Sequence, residues 1–282
     1  MIDKLGALGI KPCTDRLTAG FELRTADSAA LARQRMADPA RPLVSCLMVT
    51  RGNPEILRHS IDCYARQSWT NRELVVVTST DKIDGVAAVL GELGLQDVIL
   101  VGVGSELSLG DLRNMAVARA SGDILVQWDD DDLSDPLRIA TAVAVLTQTN
   151  AVAAFLDRWL IWWPRRNLAA ICRRRMCEGT MAIWRNAAPT YPAVARGEDS
   201  IALAQMGGTI ALIDAPLQYV YTITGENTWD DTHFEDHLAG CEHRFEGGDY
   251  RAICDLLAER VPLAAYEASL RRLWALGGAP RV

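Results

Sequence analysis

The sequence predicts an α/β fold whose first half is a Rossmann-like parallel sheet, and three observations carry that prediction. Between residues 43 and 147, four short apolar runs alternate with four stretches of helical periodicity, the pattern of βαβ units with right-handed crossovers. The last of these runs, 124–128 (ILVQW), is apolar without alternation and has helix-like sequence on both sides. That is the signature of a strand buried on both faces of a sheet. After residue 150 the regular alternation gives way to shorter strand-like runs and then to helices, so a mixed second half and a helical C-terminus continue the first.

Residues 1–40 lean helical with weak patterning, and 38–42 (DPARP) reads as a linker, since paired prolines break both helix and strand. The first strand is 43–49 (LVSCLMV), ended by the break TRGNP at 50–54. Residues 55–67 place Ile56, Leu57, Ile61 and Tyr64 on one helical face,. A strand follows at 73–77 with an exit loop through Ser79, Thr80 and Asp81, then a helix at 83–93, a strand at 97–101 and a helix at 109–120. Beyond the central strand, Ser134 and Asp135 are suitable caps for a helix over 136–147,. In the second half, 155–163 and 168–174 read as hairpin strands around PRRN at 164–167, and 180–184 as a short strand,. A helix is expected at 200–206, strands at 209–213 and 217–223, and helices again from His237 onward, over 250–259 and 263–276. Three units follow: an extension (1–42), a main domain (43–235) and a C-terminal helical segment (236–282).

At 282 residues the chain can bury a sizeable core, and 49% hydrophobic with 23% charged residues is ordinary for a globular protein,. A net charge of −7 with a pI near 5.2 argues against a nucleic-acid binder, which carries a basic face,. The seven cysteines (Cys13, Cys46, Cys63, Cys172, Cys177, Cys241 and Cys254) are scattered and form no CxxC pair. Reduced thiols in a cytoplasmic protein fit that pattern better than a disulfide frame or a zinc site. The N-terminus lacks a secretory pattern, and no run reaches the roughly 18 apolar residues of a membrane span. The richest run, 151–163, is broken by Asp157 and Arg158. Peripheral attachment at a membrane surface is left open.

Asp129, Asp130, Asp131 and Asp132 follow the central strand directly. They therefore stand at its C-terminal end, where open α/β sheets place their ligands. Adjacent like charges repel, and a hard divalent cation relieves the repulsion. Mg²⁺ and Mn²⁺ prefer oxygen ligands and are commonly shared between one or two carboxylates and a phosphate. The competing reading is a solvated acidic turn leading into the next helix, and this stretch alone does not separate the two.

Longer segments carry a resemblance. PLVSCLMVTRGNPEILRHSIDCYARQSW resembles the opening strand and helix of inverting family-two glycosyltransferases with the GT-A fold. SLGDLRNMAVARASGDILVQWDDDDLSDPLRI is similar to that family's passage from its Arg-Asn helix into the DXD motif. ARGEDSIALAQM resembles the segment with the catalytic Glu-Asp pair, and GENTWDD an Asn-Thr-Trp stretch of some members. The order and spacing agree from about residue 43 to 230, and the ordered set is far more specific than any one motif.

The resemblance implies a GT-A fold, with a nucleotide-binding half running into an acceptor-binding half. It also implies metal-dependent transfer, with inversion, of a sugar from a nucleoside diphosphate to the hydroxyl of a glycan or glycolipid. Mn²⁺ or Mg²⁺ is the expected cofactor and a UDP-sugar the favoured donor. Asp129 and Asp131 align with the DXD carboxylates, Asp131 as the direct metal ligand. Asp130 joins Thr50, Arg51, Ser79, Asp81 and Arg113 as implied donor contacts. Arg113 suits a diphosphate through its forked donors, the alternative being an ion pair on the helix surface. Asp199 aligns with the base and Glu198 with its partner. Both are equally good first-turn helix acids. Trp184 and Trp229 are candidates to stack on the acceptor.

Two departures stand out. Family members usually end the second strand in Val-Asp-Asp, one aspartate reading the donor base, whereas this strand ends Val77-Thr78-Ser79. The position ahead of Asn227 that often carries a metal-binding histidine is Thr224, which leaves His233 as the nearby substitute. A degenerate, binding-only relative is therefore the alternative. A nucleotidyltransferase is disfavoured by the single glycine of the 50–54 loop. Trp159, Trp162 and Trp163 with Arg165, Arg166, Arg173, Arg174 and Arg175 read as core tryptophans beside a solvated basic turn, the alternative being a surface for an acceptor with a sugar face and a diphosphate, or for an anionic membrane,.

Overall fold

A computed structural model describes residues 20–25 and 41–276. The rest of the expected N-terminal extension, most of its linker and Cys13 lie outside the described residues. The segment that is described there, β1 (Gly20–Thr25), is a strand rather than helix. Hydrogen bonding to an open sheet edge decides its form.

From β2 (Val44–Val49) the chain alternates as expected: α1 (Pro54–Ala65), β3 (Arg72–Ser79), α2 (Ile83–Glu92), β4 (Val98–Val103), α3 (Leu109–Arg119) and β5 (Ile124–Gln127). Local sequence sets these boundaries. Asn53 caps α1 by accepting from the Glu55 amide at 3.1 Å, followed by Pro54 in the first turn,. Ser108 and Asp111 close a reciprocal capping box on α3,. Strands β5, β2, β3 and β4 lie side by side and parallel. Their residues alternate between two cores. Val44, Cys46 and Met48 face α1 and α2, while Leu47, Val75 and Val77 face α3.

The chain then changes sheets. The short β6 (Leu133–Ser134) belongs to a second sheet, and α4 (Arg138–Gln148) follows. Residues 155–163 are not one strand. β7 (Ala153–Leu156) stays in the first sheet and β8 (Leu160–Trp163) joins the second, with Asp157 and Arg158 at the corner. Those charges are buried because they are paired: Arg158 holds Asp214 at 2.7 Å and Glu242 at 2.9 Å,. The hairpin from β8 to β9 (Leu168–Ile171) forms as expected. Then come β10 (Ala182–Trp184), α5 (Glu198–Ala204), β11 (Thr209–Asp214) and β12 (Tyr219–Thr222). The tail holds α6 (Asp231–Ala239), β13 (His243–Phe245), α7 (Gly247–Ala258) and α8 (Leu263–Leu276). β13 interrupts the expected helical run; three residues are too short for a pattern, and only its pairing with β9 defines it. A unit boundary after residue 235 falls inside α6.

The first sheet has eight strands in the order β1-β11-β7-β10-β5-β2-β3-β4, mixed through antiparallel β10 and β1. The second has five, β13-β9-β8-β12-β6. α8 lies along α1, where His59 stacks on Tyr266 and bonds Ser269 at 2.9 Å. Among the described residues no helix is long and apolar enough to cross a membrane.

Candidate active site

The four aspartates are the bridge between the two sheets, running from the end of β5 to the start of β6, and they open onto a cleft of about 600 Å³. Each is held differently. Asp129 accepts from Gln127 Nε2 at 2.7 Å and from the Tyr219 hydroxyl at 3.2 Å. Asp130 accepts from Thr50 Oγ1 at 2.5 Å. Asp131 accepts from Asn227 Nδ2 at 2.9 Å. Asp132 is buried and accepts from the Tyr219 hydroxyl and the Thr222 amide. It is an anchor within the fold. Burial, then the neighbouring aspartates, raises Asp131 and Asp132 well above the ordinary carboxylate range. Burial also lifts Asp130, to about 6, against the Thr50 hydrogen bond. Gly179 is required beside them, since a Cβ there would lie 2.8 Å from both Asp129 Oδ2 and the Tyr219 hydroxyl.

Arg113, on α3, reaches the same cleft. Its Nε donates to Glu198 Oε1 at 2.6 Å, and its Nη1 stands 3.7 Å from Asp129 Oδ1. The ion pair weighed as the alternative for Arg113 does form, but it is buried rather than on the surface, with Glu198 only 2% exposed. Burial opposes the guanidinium's charge, but Asp129 and Glu198 overcome it and raise its pKa. Asn114, next in sequence, faces elsewhere and clamps the Tyr191 backbone through two hydrogen bonds of 2.8 and 2.9 Å.

Gly197, at φ 71°, turns the chain into α5, so Glu198 and Asp199 open that helix rather than precede it,. Glu198 is committed to Arg113. Asp199 accepts its neighbour's Ser200 amide at 2.7 Å and has no cation partner among the described residues. Its carboxylate therefore remains available to the cleft that it lines.

Thr50, Arg51, Trp229 and His233 also line this cleft. Arg51 reaches across to Thr228 Oγ1 at 3.0 Å and to the Glu226 carbonyl at 3.5 Å. His233 stacks on Trp229 with centroids 4.5 Å apart. Three expected residues stand elsewhere. Trp184 is buried opposite Ile124, at the far end of β5 from the aspartates; it is a core residue. Ser79 and Asp81 lie outside the cleft lining, Asp81 exposed and paired with Lys82 at 3.3 Å. The Thr78 hydroxyl donates to the Thr50 carbonyl at 3.0 Å, so it braces the loop instead of facing a ligand. Trp159, Trp162 and Trp163 are core residues as expected, although Trp159 touches the cleft. Tyr219, Gly179 and Tyr266 carry no local sequence signal, because what places them is contact between distant segments.

Among the described residues no three His, Cys, Asp or Glu side chains converge on one point. The donor set is instead one of hard carboxylate oxygens at a strand end. It fits a Mn²⁺ or Mg²⁺ whose remaining ligands are phosphate and water oxygens, since such ions use one or two protein carboxylates.

Residues 45–177, which contain the aspartates, Arg113 and the parallel strands, match the family model described as Glycosyl transferase family 2. This stretch is a family 2 glycosyltransferase domain. Its activity class is glycosyl transfer, and its fold is GT-A. Solved structures agree on the fold. The mannosyltransferase PcManGT from Pyrobaculum calidifontis in complex with GDP-Man and Mn²⁺ is 19% identical, with 86% of this chain and 78% of that one covered at a TM-score of 0.53. TarS 1–349 from S. aureus is 13% identical, covering 70% of this chain and 69% of that one at 0.50. The same protein in complex with UDP is 16% identical over equal coverage, again at 0.50. A comparison with curated protein sequences finds no match. The glycosyltransferase domain thus includes the aspartate bridge, while Glu198, Asp199, Asn227 and Trp229 lie beyond the matched residues.

Proposed function

We propose that the protein transfers a sugar, with inversion, from a nucleoside-diphosphate sugar to an acceptor hydroxyl, with Asp199 as the base. The observation that carries this reading is the Arg113 guanidinium, which ties Asp129 to Glu198 and so sets the Asp199 carboxylate in the same cleft as the aspartate bridge. Asp199 accepts the acceptor's proton as that oxygen bonds to the anomeric carbon. The bond from that carbon to the diphosphate breaks, and its electron pair leaves with the diphosphate. Arg113 binds and orients the donor phosphates, and Thr50 and Arg51 hold the donor side of the cleft. Asp131 and Asp129 would hold a Mn²⁺ or Mg²⁺, which supplies Lewis-acid stabilisation of the leaving diphosphate. The PcManGT complex with GDP-Man and Mn²⁺ and the TarS complex with UDP support a nucleotide-sugar donor and a divalent ion.

The test is a melting screen against UDP, GDP, CDP and dTDP with and without Mn²⁺, followed by transfer assays with the nucleotide that stabilises. Asp131→Asn should abolish a metal-dependent shift. Asp199→Asn should keep the shift and lower kcat by about 10²- to 10⁴-fold. An Asp199→Asn protein with full turnover would remove the base from the mechanism.

A further inference from the structure

Charge is divided within the cleft. The acids gather at the end of β5, with Arg113 between them and Glu198. Arg175, Arg196, His233 and His237 line the same cleft, from three separate places in the chain. Arg175 follows β9, Arg196 immediately precedes Gly197 and the Asp199 helix, and the two histidines sit one turn apart on α6. They are physically linked through rings. His233 and His237 have centroids 4.4 Å apart, His233 stacks on Trp229, and Arg196 lies 5.6 Å from the centre of the Trp229 ring. Arg175 lies over Trp159 at 4.7 Å.

Arg175 has Glu178 at 3.7 Å, Arg196 has no carboxylate partner among the described residues, and Asp230 and Asp236 stand near the histidines. Each imidazole carries at least one N–H to donate. In a chain of net charge −7, a wall rich in fixed cations and imidazole donors is a local exception that matches an oxyanion.

We propose that this wall takes a phosphate group of the acceptor, so that the acceptor is a phosphorylated sugar rather than a neutral glycan. The phosphate is bound by Arg175, Arg196 and the histidine pair, and the sugar face packs on the exposed Trp229. This rests on the reading of the cleft as a glycosyl-transfer site with Asp199 as base. The donor's own phosphates are assigned to Arg113 and the aspartates. The same phosphate chemistry is offered by a soluble ester and by a lipid headgroup.

The experiment uses the full chain saturated with its stabilising nucleoside diphosphate and Mn²⁺, which fills the donor side. Glucose 6-phosphate and glucose are then titrated by thermal melting, and vesicles of phosphatidylglycerol and phosphatidylcholine by co-sedimentation. Glucose 6-phosphate should raise the melting temperature where glucose does not, and Arg175→Gln with Arg196→Gln should weaken that binding by at least about tenfold. Both side chains are partly or fully exposed, so the nucleotide shift should survive in the variant. Binding to phosphatidylglycerol vesicles alone, lost in the same variant, would support the phosphate site and name a lipid headgroup as its source. No response to either phosphate source, or a response unchanged in the variant, overturns the proposal. Loss of the nucleotide shift in the parent protein would instead strike at the glycosyl-transfer reading, so the two failures are distinct.

Discussion

The Tyr266 hydroxyl donates to the backbone carbonyl of Asp131 at 2.7 Å, across 135 residues of sequence. About two turns further along, the same helix makes a second reach: Trp274 Nε1 donates to the Thr224 carbonyl at 2.8 Å,. Thr224 in turn holds Asn227, whose amide holds Asp131. The last helix therefore grips both the carboxylate bridge and the turn that faces it.

Tyr266→Phe keeps the buried ring and removes only that grip. The expected result is a stability loss of about 1 kcal/mol and a metal-dependent nucleotide affinity weakened several-fold, with kcat at saturation less affected. Equilibrium unfolding and a KM-against-kcat comparison read the two effects separately. Unchanged nucleotide affinity would make Tyr266 a packing residue only.

Gly179 is the most restrictive position in the cleft. In Gly179→Ala the new methyl meets the Asp129 carboxylate and the Tyr219 hydroxyl at 2.8 Å, and neither can withdraw without breaking its other bonds. The folded variant should lose its Mn²⁺-dependent nucleotide shift and most of its transfer activity, as measured by melting and by initial rates.

Two tryptophans should separate cleanly. Trp184 is buried with an unpartnered Nε1, so Trp184→Phe removes an unsatisfied donor while leaving a small cavity, and turnover should stay within about twofold. Trp229 is 40% exposed, so Trp229→Ala should leave the melting temperature nearly unchanged and raise the acceptor KM. Steady-state kinetics on both variants decides it.

Acid should loosen the contact between α1 and α8. Burial, then nearby Arg58, holds His59 down to about 4 from an ordinary value near 6.5. The unfolded chain takes up the proton first, so this residue's contribution to stability is present above about 6.5 and lost as pH falls toward 4. The raised carboxyls of Asp130, Asp131 and Asp132 tilt the opposite way. The difference in pH slope between the parent and His59→Gln, from unfolding curves between pH 4 and 7, isolates the histidine. Parallel slopes would mean that His59 is no more protected than in the unfolded chain.

The parallel half is legible in the sequence because its signals are local. An apolar run such as 124–128 needs two buried faces wherever it sits, and Ser108 with Asp111 marks a helix start within four residues. The aspartate bridge is legible for the same reason, since adjacent charges need relief. What is not legible depends on distance in the chain. Asp157 and Arg158 look like an interruption until Arg174 arrives to pair with the first, and Asp214 and Glu242 with the second. Trp184 and Trp229 look alike as letters, and only the sheet register buries one and leaves the other at the cleft. Glu198 and Asp199 are adjacent acids in sequence, and Arg113, 85 residues before Glu198, is what commits the first and leaves the second available.

β1 (Gly20–Thr25) adds one antiparallel strand to β11, from Gly20 opposite Asp214 to Thr25 opposite Thr209. Without it, β11 would present a row of unpaired amides and carbonyls, a template on which another chain can assemble. A shortened protein beginning at residue 41 keeps every cleft residue, yet it should be prone to self-association through that rim. The strand at Gly20–Thr25 thus covers an edge that would otherwise be open to pairing,.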